Sequence, residues 1–339
     1  MKDRTSQMER LIGYYIGYFA THLIRLAVDS GLFSALAAHP EGANAGDLGV
    51  ELGFDPGYVE HFLRAAFALQ LLDYDPASGL YRLAPHMDIL LARPQDYRYM
   101  GNLARMYILS GRDFGRMQEL FETGGTYTFQ EHEEDLIEAA ADASSGLTEL
   151  VSRALLRRLP GLRGRDDVSA LDIGCGTGGM LIALAKAYPR GRIVGVDTEV
   201  RSVDKAVARI RAAGLEDRVE ARLAAAEEVD ERSAFDLVTM IQALHETKQE
   251  VRDSILSRIH AALRPGGVLL VIDEPYPHEL GALRDAPVAA LTQFVEAFMG
   301  NVLLSPEDQQ RIFERAGFQV LSQMIPAPGL ICVTIAQRS

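Results

Sequence analysis

Ala170-Leu171-Asp172-Ile173-Gly174-Cys175-Gly176-Thr177-Gly178-Gly179 decides the fold. It reads as the end of a buried strand, a glycine turn, and a helix predicted from about Met180 to Tyr188, stopped by Pro189. Glycine allows close backbone approach and positive φ without a Cβ penalty. Unpaired N–H groups at the helix start favour an anion or polar ligand over the turn. A second apolar run, Ile193-Val194-Gly195-Val196, ends in Asp197. Strand, glycine turn, helix, strand and an acid about twenty residues on make a nucleotide-binding βαβ unit, the acid placed to accept from a ribose diol.

The glycines satisfy two patterns at once, Gly174/Gly176/Gly179 and Gly174/Gly176/Gly178, so they alone do not name the cofactor. Asp172 lies two residues before the first glycine, where a dinucleotide site keeps its strand apolar. Downstream come Phe235-Asp236-Leu237-Val238-Thr239-Met240 and Leu263-Arg264-Pro265-Gly266-Gly267-Val268-Leu269-Leu270-Val271. In this order the four elements resemble the class I S-adenosylmethionine (SAM) methyltransferases, over roughly Val168 to Gln337. The resemblance implies an α/β, Rossmann-like seven-stranded domain with SAM as cofactor. Strands at Val219–Leu223, Phe235–Met240 and Val268–Ile272 are expected, closed by an antiparallel pair, Gln319–Met324 and Leu330–Ala336.

By that resemblance, the methionine end of SAM lies over Gly174, Gly176 and Gly178 near Asp172, and its ribose on Asp197 and Thr198. Many class I enzymes hold the adenine amino group with Gly-Asp after the third strand. This chain has Ala224-Ala225-Ala226-Glu227, which leaves backbone groups at Ala225 and Ala226, or Glu227, for adenine. Ile241 and Gln242, after the fourth strand, complete the expected cofactor contacts.

Residues 1–95 read as a mainly helical domain. Leu11, Ile12, Tyr15, Ile16, Phe19, Leu23, Leu26 and Ala27 recur at helical spacing, and Gly31 ends that helix. Ala45–Gly53 reads as a helix, and Asp55-Pro56 starts another whose face carries Val59, Phe62, Leu63, Ala66 and Phe67. Leu71–Tyr74, a turn through Asp75-Pro76-Ala77-Ser78-Gly79, and Leu80–Leu83 form a hairpin. Helix, turn, helix and hairpin make a winged helix. The arrangement is similar to the N-terminal dimerisation domain of caffeate-type small-molecule O-methyltransferases and their bacterial relatives, which implies an interlocking homodimer. Residues 96–165 read as a helical linker and substrate cap with tyrosines at 97, 99, 107 and 127, including a long helix from Leu136 to Leu159. Residues 166–339 are the SAM domain.

Methyl transfer from a sulfonium is an in-line displacement, and a hydroxyl acceptor must also lose a proton. An imidazole titrates near neutrality, and His245 follows the fourth strand. In the resembled family a histidine of His-Asp-Trp is the base at this place; here the motif reads His245-Glu246-Thr247. The family orients that base with two carboxylates. The first matches Asp273 or Glu274 at the end of the fifth strand. The second falls near Leu303, which is not an acid; the nearest acid upstream is Glu296, on a helix with Phe294, Ala297 and Phe298. His245, Asp273 and Glu296 are therefore the catalytic candidates, with no metal assigned. The same side chains with Glu246 and Glu274 leave a second reading open, a metal-dependent C-methyltransferase acting on an enolisable 2-oxo acid.

A formal net charge of −13 disfavours a nucleic-acid partner, and the hairpin-preceding helix carries a lone arginine, Arg64. A SAM- or DNA-binding regulator is thus the least favoured reading. Two cysteines, Cys175 and Cys332, give no disulfide framework, which fits a cytoplasmic protein. No stretch approaches eighteen consecutive apolar residues, so no membrane span is expected. The expected partner is a small-molecule acceptor.

Overall fold

The computed structural model describes residues 3–327 and 331–339. It divides into two compact units, one of residues up to Arg116 together with Glu134–Leu147, the other of Met117–Glu133 and Thr148–Ser339.

The first unit opens with α1 (Arg4–Asp29), capped by Asp3, whose carboxylate accepts the Ser6 N–H at 2.8 Å. Gly31, at φ 76°, turns the chain into α2 (Leu32–Ala38). Asn44 caps α3 (Ala45–Leu52), and Asp55 caps α4 (Pro56–Ala68) by accepting from Gly57 and Tyr58 at 2.9 and 3.1 Å. The hairpin β1 (Leu72–Asp75) and β2 (Leu80–Leu83) follows, with Leu72 opposite Leu83, then α5 (Met87–Leu91) and α6 (Gly101–Ser110). Phe33, Leu36, Leu48, Leu63 and Leu72 fill its core. Val59, Phe62, Leu63 and Ala66 of α4 are buried as their spacing requires. Phe67 is not; it lies edge-on to Tyr74 at the surface.

The apolar positions of α1 do not enter a core. Of the helix only Ala27 is fully buried, while Leu11, Ile12, Tyr15, Ile16 and Phe19 are exposed, from 48% to 71%. The helix is also long and apolar enough, by length and composition, to cross a membrane, with a mean hydropathy of 1.2 over an eighteen-residue window. The expectation drawn from uninterrupted apolar runs missed this. Tyrosine, glycine and threonine break the run without making the segment hydrophilic.

The second unit holds α7 (Met117–Thr123) and the end of α8 (Glu134–Leu150). The single helix expected to Leu159 stops at Leu150, continuing as a π turn (Val151–Leu155) and a 3-10 turn (Leu156–Arg158). Tyr188 Oη donates to the Leu156 carbonyl at 2.8 Å, which replaces a helical partner there. Then come β3 (Ala170–Ile173), α9 (Gly179–Ala187), β4 (Ile193–Asp197), α10 (Val200–Ala212), β5 (Val219–Leu223), β6 (Phe235–Ile241), α11 (Gln249–Ala262) and β7 (Leu263–Asp273). After α12 (Pro287–Glu296) and α13 (Pro306–Arg315), β8 (Phe318–Ala327) and β9 (Ile331–Arg338) close the sheet; the expected strand residue Leu330 lies outside the described residues.

The strand order is β5-β4-β3-β6-β7-β9-β8, parallel from β5 to β7 and antiparallel at β9 and β8. The order reverses beside β3, between β4 and β6, so both flanking crossovers leave a crevice at the carboxyl end of β3. β7 begins at Leu263, earlier than expected, because Leu263 pairs with Phe235 and a bulge between Phe235 and Leu237 absorbs the extra residues. Leu171, Val194, Val238, Leu269 and Val271 are buried on a sheet covered by helices, as a parallel sheet requires.

Candidate active site

Gly174, Gly176 and Gly178 all have positive φ, at 72°, 49° and 81°. At Gly174 a Cβ would meet the Ala243 Cβ at 2.7 Å, and at Gly178 it would meet the Ala206 Cβ at 2.9 Å. Gly176 has open space around it, the place where a ligand can approach backbone. Gly178 is the N-cap of α9 and offers no side chain, so the first N–H groups of that helix remain for the turn.

Asp172 is buried at the end of β3, and Thr239 Oγ1 donates to it at 2.5 Å. Burial, with Asp197 nearby, pushes its carboxyl up to about 8. Asp197 ends β4; its Oδ2 accepts the Gly176 N–H at 2.7 Å and its Oδ1 the Glu199 N–H at 2.9 Å. Each oxygen of a carboxylate can accept a second bond, so a diol can still be held there. Gln130 donates to Thr198 Oγ1 at 3.2 Å, and Arg201 donates to the carbonyls of Gln130 and His132, so segment 130–132 is tied to the β4 end. Ala225 N donates to Glu228 Oε2 at 3.0 Å; that carboxylate, rather than Glu227, orders the turn Ala226–Glu228. Gln242 takes φ 53° after β6, giving its N–H to Ile272 and its side-chain amide to Glu274 Oε1 at 2.8 Å.

His245 is only 5% exposed. Asp273, at the end of β7, accepts its backbone N–H at 2.9 Å through Oδ2 and its Nδ1–H through Oδ1. The Glu274 N–H also donates to Asp273 Oδ1, at 3.0 Å. Glu274 Oε2 stands 3.5 Å from Nδ1, and Glu296 Oε2 stands 3.9 Å from Nε2. Burial works against a charged imidazole, but Asp273, Glu274 and Glu296 outweigh it and hold the His245 pKa well above its ordinary value. Burial likewise opposes a charged Asp273, and His245 overrides it, keeping the carboxylate below its usual range. Burial raises Glu274 to about 7. Glu246, the next residue, is exposed.

Sequence reasoning named the acids here and missed what fixes them. Arg252, buried on α11, donates to Thr247 Oγ1 and O at 3.1 and 2.9 Å and to the Val302 carbonyl at 3.2 Å. It thereby ties the His245 loop to the segment after Glu296. Asn301 donates to Glu296 Oε2 at 2.8 Å, and Gln293 accepts the Leu303 N–H at 2.8 Å. An arginine within an amphipathic helix gives no signal of this in the sequence, because its acceptors are main-chain carbonyls of two loops.

One oxygen of Asp273, one of Glu274 and Nδ1 of His245 lie within 4.8 Å of one another. That spacing suits an ion, but the donor set does not. Nδ1 carries its proton toward Asp273, whose two oxygens already accept three N–H groups. Nε2 is the ring nitrogen that Asp273 does not engage, so it is the one that accepts a proton once the imidazole is neutral.

Residues 171–269 match the family model described as a methyltransferase domain. That stretch is similar to a methyltransferase domain. Over 110 residues, 32% of this chain, it is 31% identical to a demethylmenaquinone methyltransferase of Lactobacillus johnsonii. Over 190 residues, 55% of this chain, it is 29% identical to the methyltransferase GfsG of Streptomyces halstedii. The matches span 44% and 62% of those relatives' own lengths. Human N-acetylserotonin methyltransferase, solved in complex with SAM, superposes with a TM-score of 0.74 at 18% identity, covering 100% of this chain and 99% of its own. That likeness shows the fold. In the methyltransferase domain, the antiparallel β9 inserted beside β7 is the feature that a dinucleotide sheet lacks.

Proposed function

We propose that the protein transfers the methyl group of SAM to a hydroxyl of a small, fairly apolar acceptor, with His245 as general base. The observation that carries this reading is the Asp273–His245 pair at the carboxyl ends of β6 and β7, the sheet edge onto which the glycine turn opens. Asp273 fixes the ring with Nδ1 protonated, so Nε2 is the atom that takes the acceptor proton. The S–CH3 bond breaks as the C–O bond forms, the sulfur leaves as a neutral thioether, and the hydroxyl proton passes to Nε2. SAM supplies the electrophile; this chain supplies alignment and the proton acceptor.

In this reading the methionine end of SAM lies over Gly174, Gly176 and Gly178 by Asp172. The ribose sits on Asp197 with Thr198 beside it, and the adenine near Ala225, Ala226 and Glu227, with Ile241 and Gln242 lining the loop. Glu296 and Asp273 orient the base. The metal-dependent C-methylation reading ranks second: the 4.8 Å cluster supports it, and the commitment of Nδ1 to Asp273 opposes it.

For the rest of the chain we infer residues 1–95 as a winged-helix dimerisation domain, 96–165 as linker and substrate cap, and 166–339 as the SAM domain. The exposed apolar face of α1 supports a cytoplasmic homodimer, because a surface rich in Leu11, Ile12, Tyr15 and Phe19 calls for a cover. Arg4, Glu9 and Arg10 at one end of the helix and Arg25 and Asp29 at the other flank this face. Nucleic acid is disfavoured again by α4, where Arg64 already pairs with Glu60 at 2.7 Å. The test is the His245→Ala variant with radiolabelled SAM and a panel of phenolic acceptors. Turnover by the native chain and its loss in the variant, with cofactor affinity retained, supports the reading; undiminished turnover in the variant rejects His245 as base.

A further inference from the structure

Two carboxylates crowd the base beyond the one that orients it. Glu274 Oε2 is buried, has no hydrogen-bond partner, and stands 3.5 Å from Nδ1. Glu296 Oε2 stands 3.9 Å from Nε2. The cation opposing these charges is His245 itself. Arg252 faces the cluster from α11, but its hydrogen bonds go to Thr247 and to the Val302 carbonyl. At the ends of β3 and β4, burial holds Asp172 and Asp197 toward their neutral forms. An orphaned buried carboxylate oxygen is costly unless a cation visits it.

We propose that Glu274 and Glu296, set around the Asp273–His245 pair, form a subsite for an onium cation, and that the cation's arrival expels a proton from the cluster. This rests on the methyltransferase reading above. The cation comes from one of two sources of the same chemistry, the sulfonium of SAM or an ammonium on the acceptor. The reaction gives the first a particular logic. Hydroxyl plus sulfonium yields ether, neutral thioether and one proton. The free site holds its positive charge as a proton on His245, the SAM complex holds it as the sulfonium, and after transfer it returns as the proton taken from the acceptor. The cluster keeps one compensating positive charge at every stage. It therefore distinguishes SAM from S-adenosylhomocysteine (SAH) by charge alone, favouring the substrate form and release of the product form.

Calorimetric titration of the EDTA-treated full chain with SAM and with SAH, each in phosphate and in Tris, tests this. Linkage between proton release and affinity predicts a proton released on SAM binding but not on SAH binding. While that proton is released, the SAM-to-SAH affinity ratio should rise about tenfold per pH unit between pH 6 and pH 9. Glu274→Gln and Glu296→Gln should each shrink both the release and the ratio. Release that appears only when tyramine is added to the SAH complex, and not with 4-ethylphenol, supports the subsite and assigns its cation to the acceptor. Equal proton release with SAM and SAH, and none on adding tyramine, overturns the proposal while leaving the methyltransferase reading intact. Binding of neither SAM nor SAH overturns both.

Discussion

Asp273 holds His245 at two points, its Oδ2 on the backbone N–H at 2.9 Å and its Oδ1 on Nδ1. One carboxylate at the end of β7 thus sets both the position of the loop and the tautomer of the ring. Replacing it separates those tasks. Asp273→Asn keeps the volume but removes the charge, and its amide can present N–H to Nδ1 instead of accepting from it. Turnover should fall by a factor on the order of 10²–10⁴, with SAH affinity nearly unchanged. Parallel kinetics and calorimetry on the variant check this; unchanged turnover would mean that Asp273 only anchors the loop.

The glycines of the turn should not be equivalent. Gly174→Ala and Gly176→Ala both force alanine to positive φ, which costs about 1–2 kcal/mol. Only at Gly174 would the new Cβ also meet another side chain, Ala243, at 2.7 Å. Gly174→Ala should lower the melting temperature clearly more than Gly176→Ala, whereas Gly176→Ala should act mainly on SAM affinity. Thermal melts and SAM titrations of the two variants separate the effects; equal melting temperatures would contradict the close approach of the His245 loop.

Asp197 links the turn to β4 through the Gly176 N–H. Asp197→Ala should weaken SAM binding by about 1–3 kcal/mol, the range for one or two lost hydrogen bonds. Titration of the variant reads this directly, and full affinity would place the ribose elsewhere.

Arg252→Met should loosen the base without touching it. The substitution strands the Thr247 and Val302 carbonyls that the guanidinium now serves. A loss of about 1–3 kcal/mol per unsatisfied buried group is expected in chemical denaturation. Arg252→Lys should recover part of it, because an ammonium can still reach one carbonyl.

Stability of the ligand-free protein should fall as pH rises. Asp172 is pushed up to about 8 and Glu274 to about 7, chiefly by burial. An acid with a raised folded pKa binds more protons folded than unfolded, so its stabilisation is lost between its unfolded and folded values. His245, also raised, acts in the same direction: its contribution is full below about 6.5 and is lost as pH climbs toward its folded value. Asp273 is lowered and matters only in acid, where stability drops as it protonates. Melting temperature should therefore decline from about pH 6 to pH 9, less steeply in Glu274→Gln. A flat or rising curve would contradict the charge arrangement around His245.

The glycine turn, the acids at the ends of β3 and β4, and the order of strands were legible because each is local: two residues of spacing, one apolar run, one cap. His245 was legible from its place after β6. Glu296 was found by elimination, and the structure places it 3.9 Å from Nε2 without that distance being readable from the chain. Arg252, Asn301 and Gln293 were not legible, since they act on main-chain groups brought together only by the closed sheet. The end of α8 was misjudged for a similar reason: its partner, the Tyr188 hydroxyl, comes from a distant segment. The exposure of α1 was hidden because helical spacing marks an apolar face and says nothing of what covers it.

The most direct test of the account is calorimetric titration of the EDTA-treated native chain with SAM. The account predicts saturable binding in the micromolar range, one SAM per chain, with no requirement for added iron, zinc or magnesium. No binding of SAM, or binding only after a metal is restored, would contradict it.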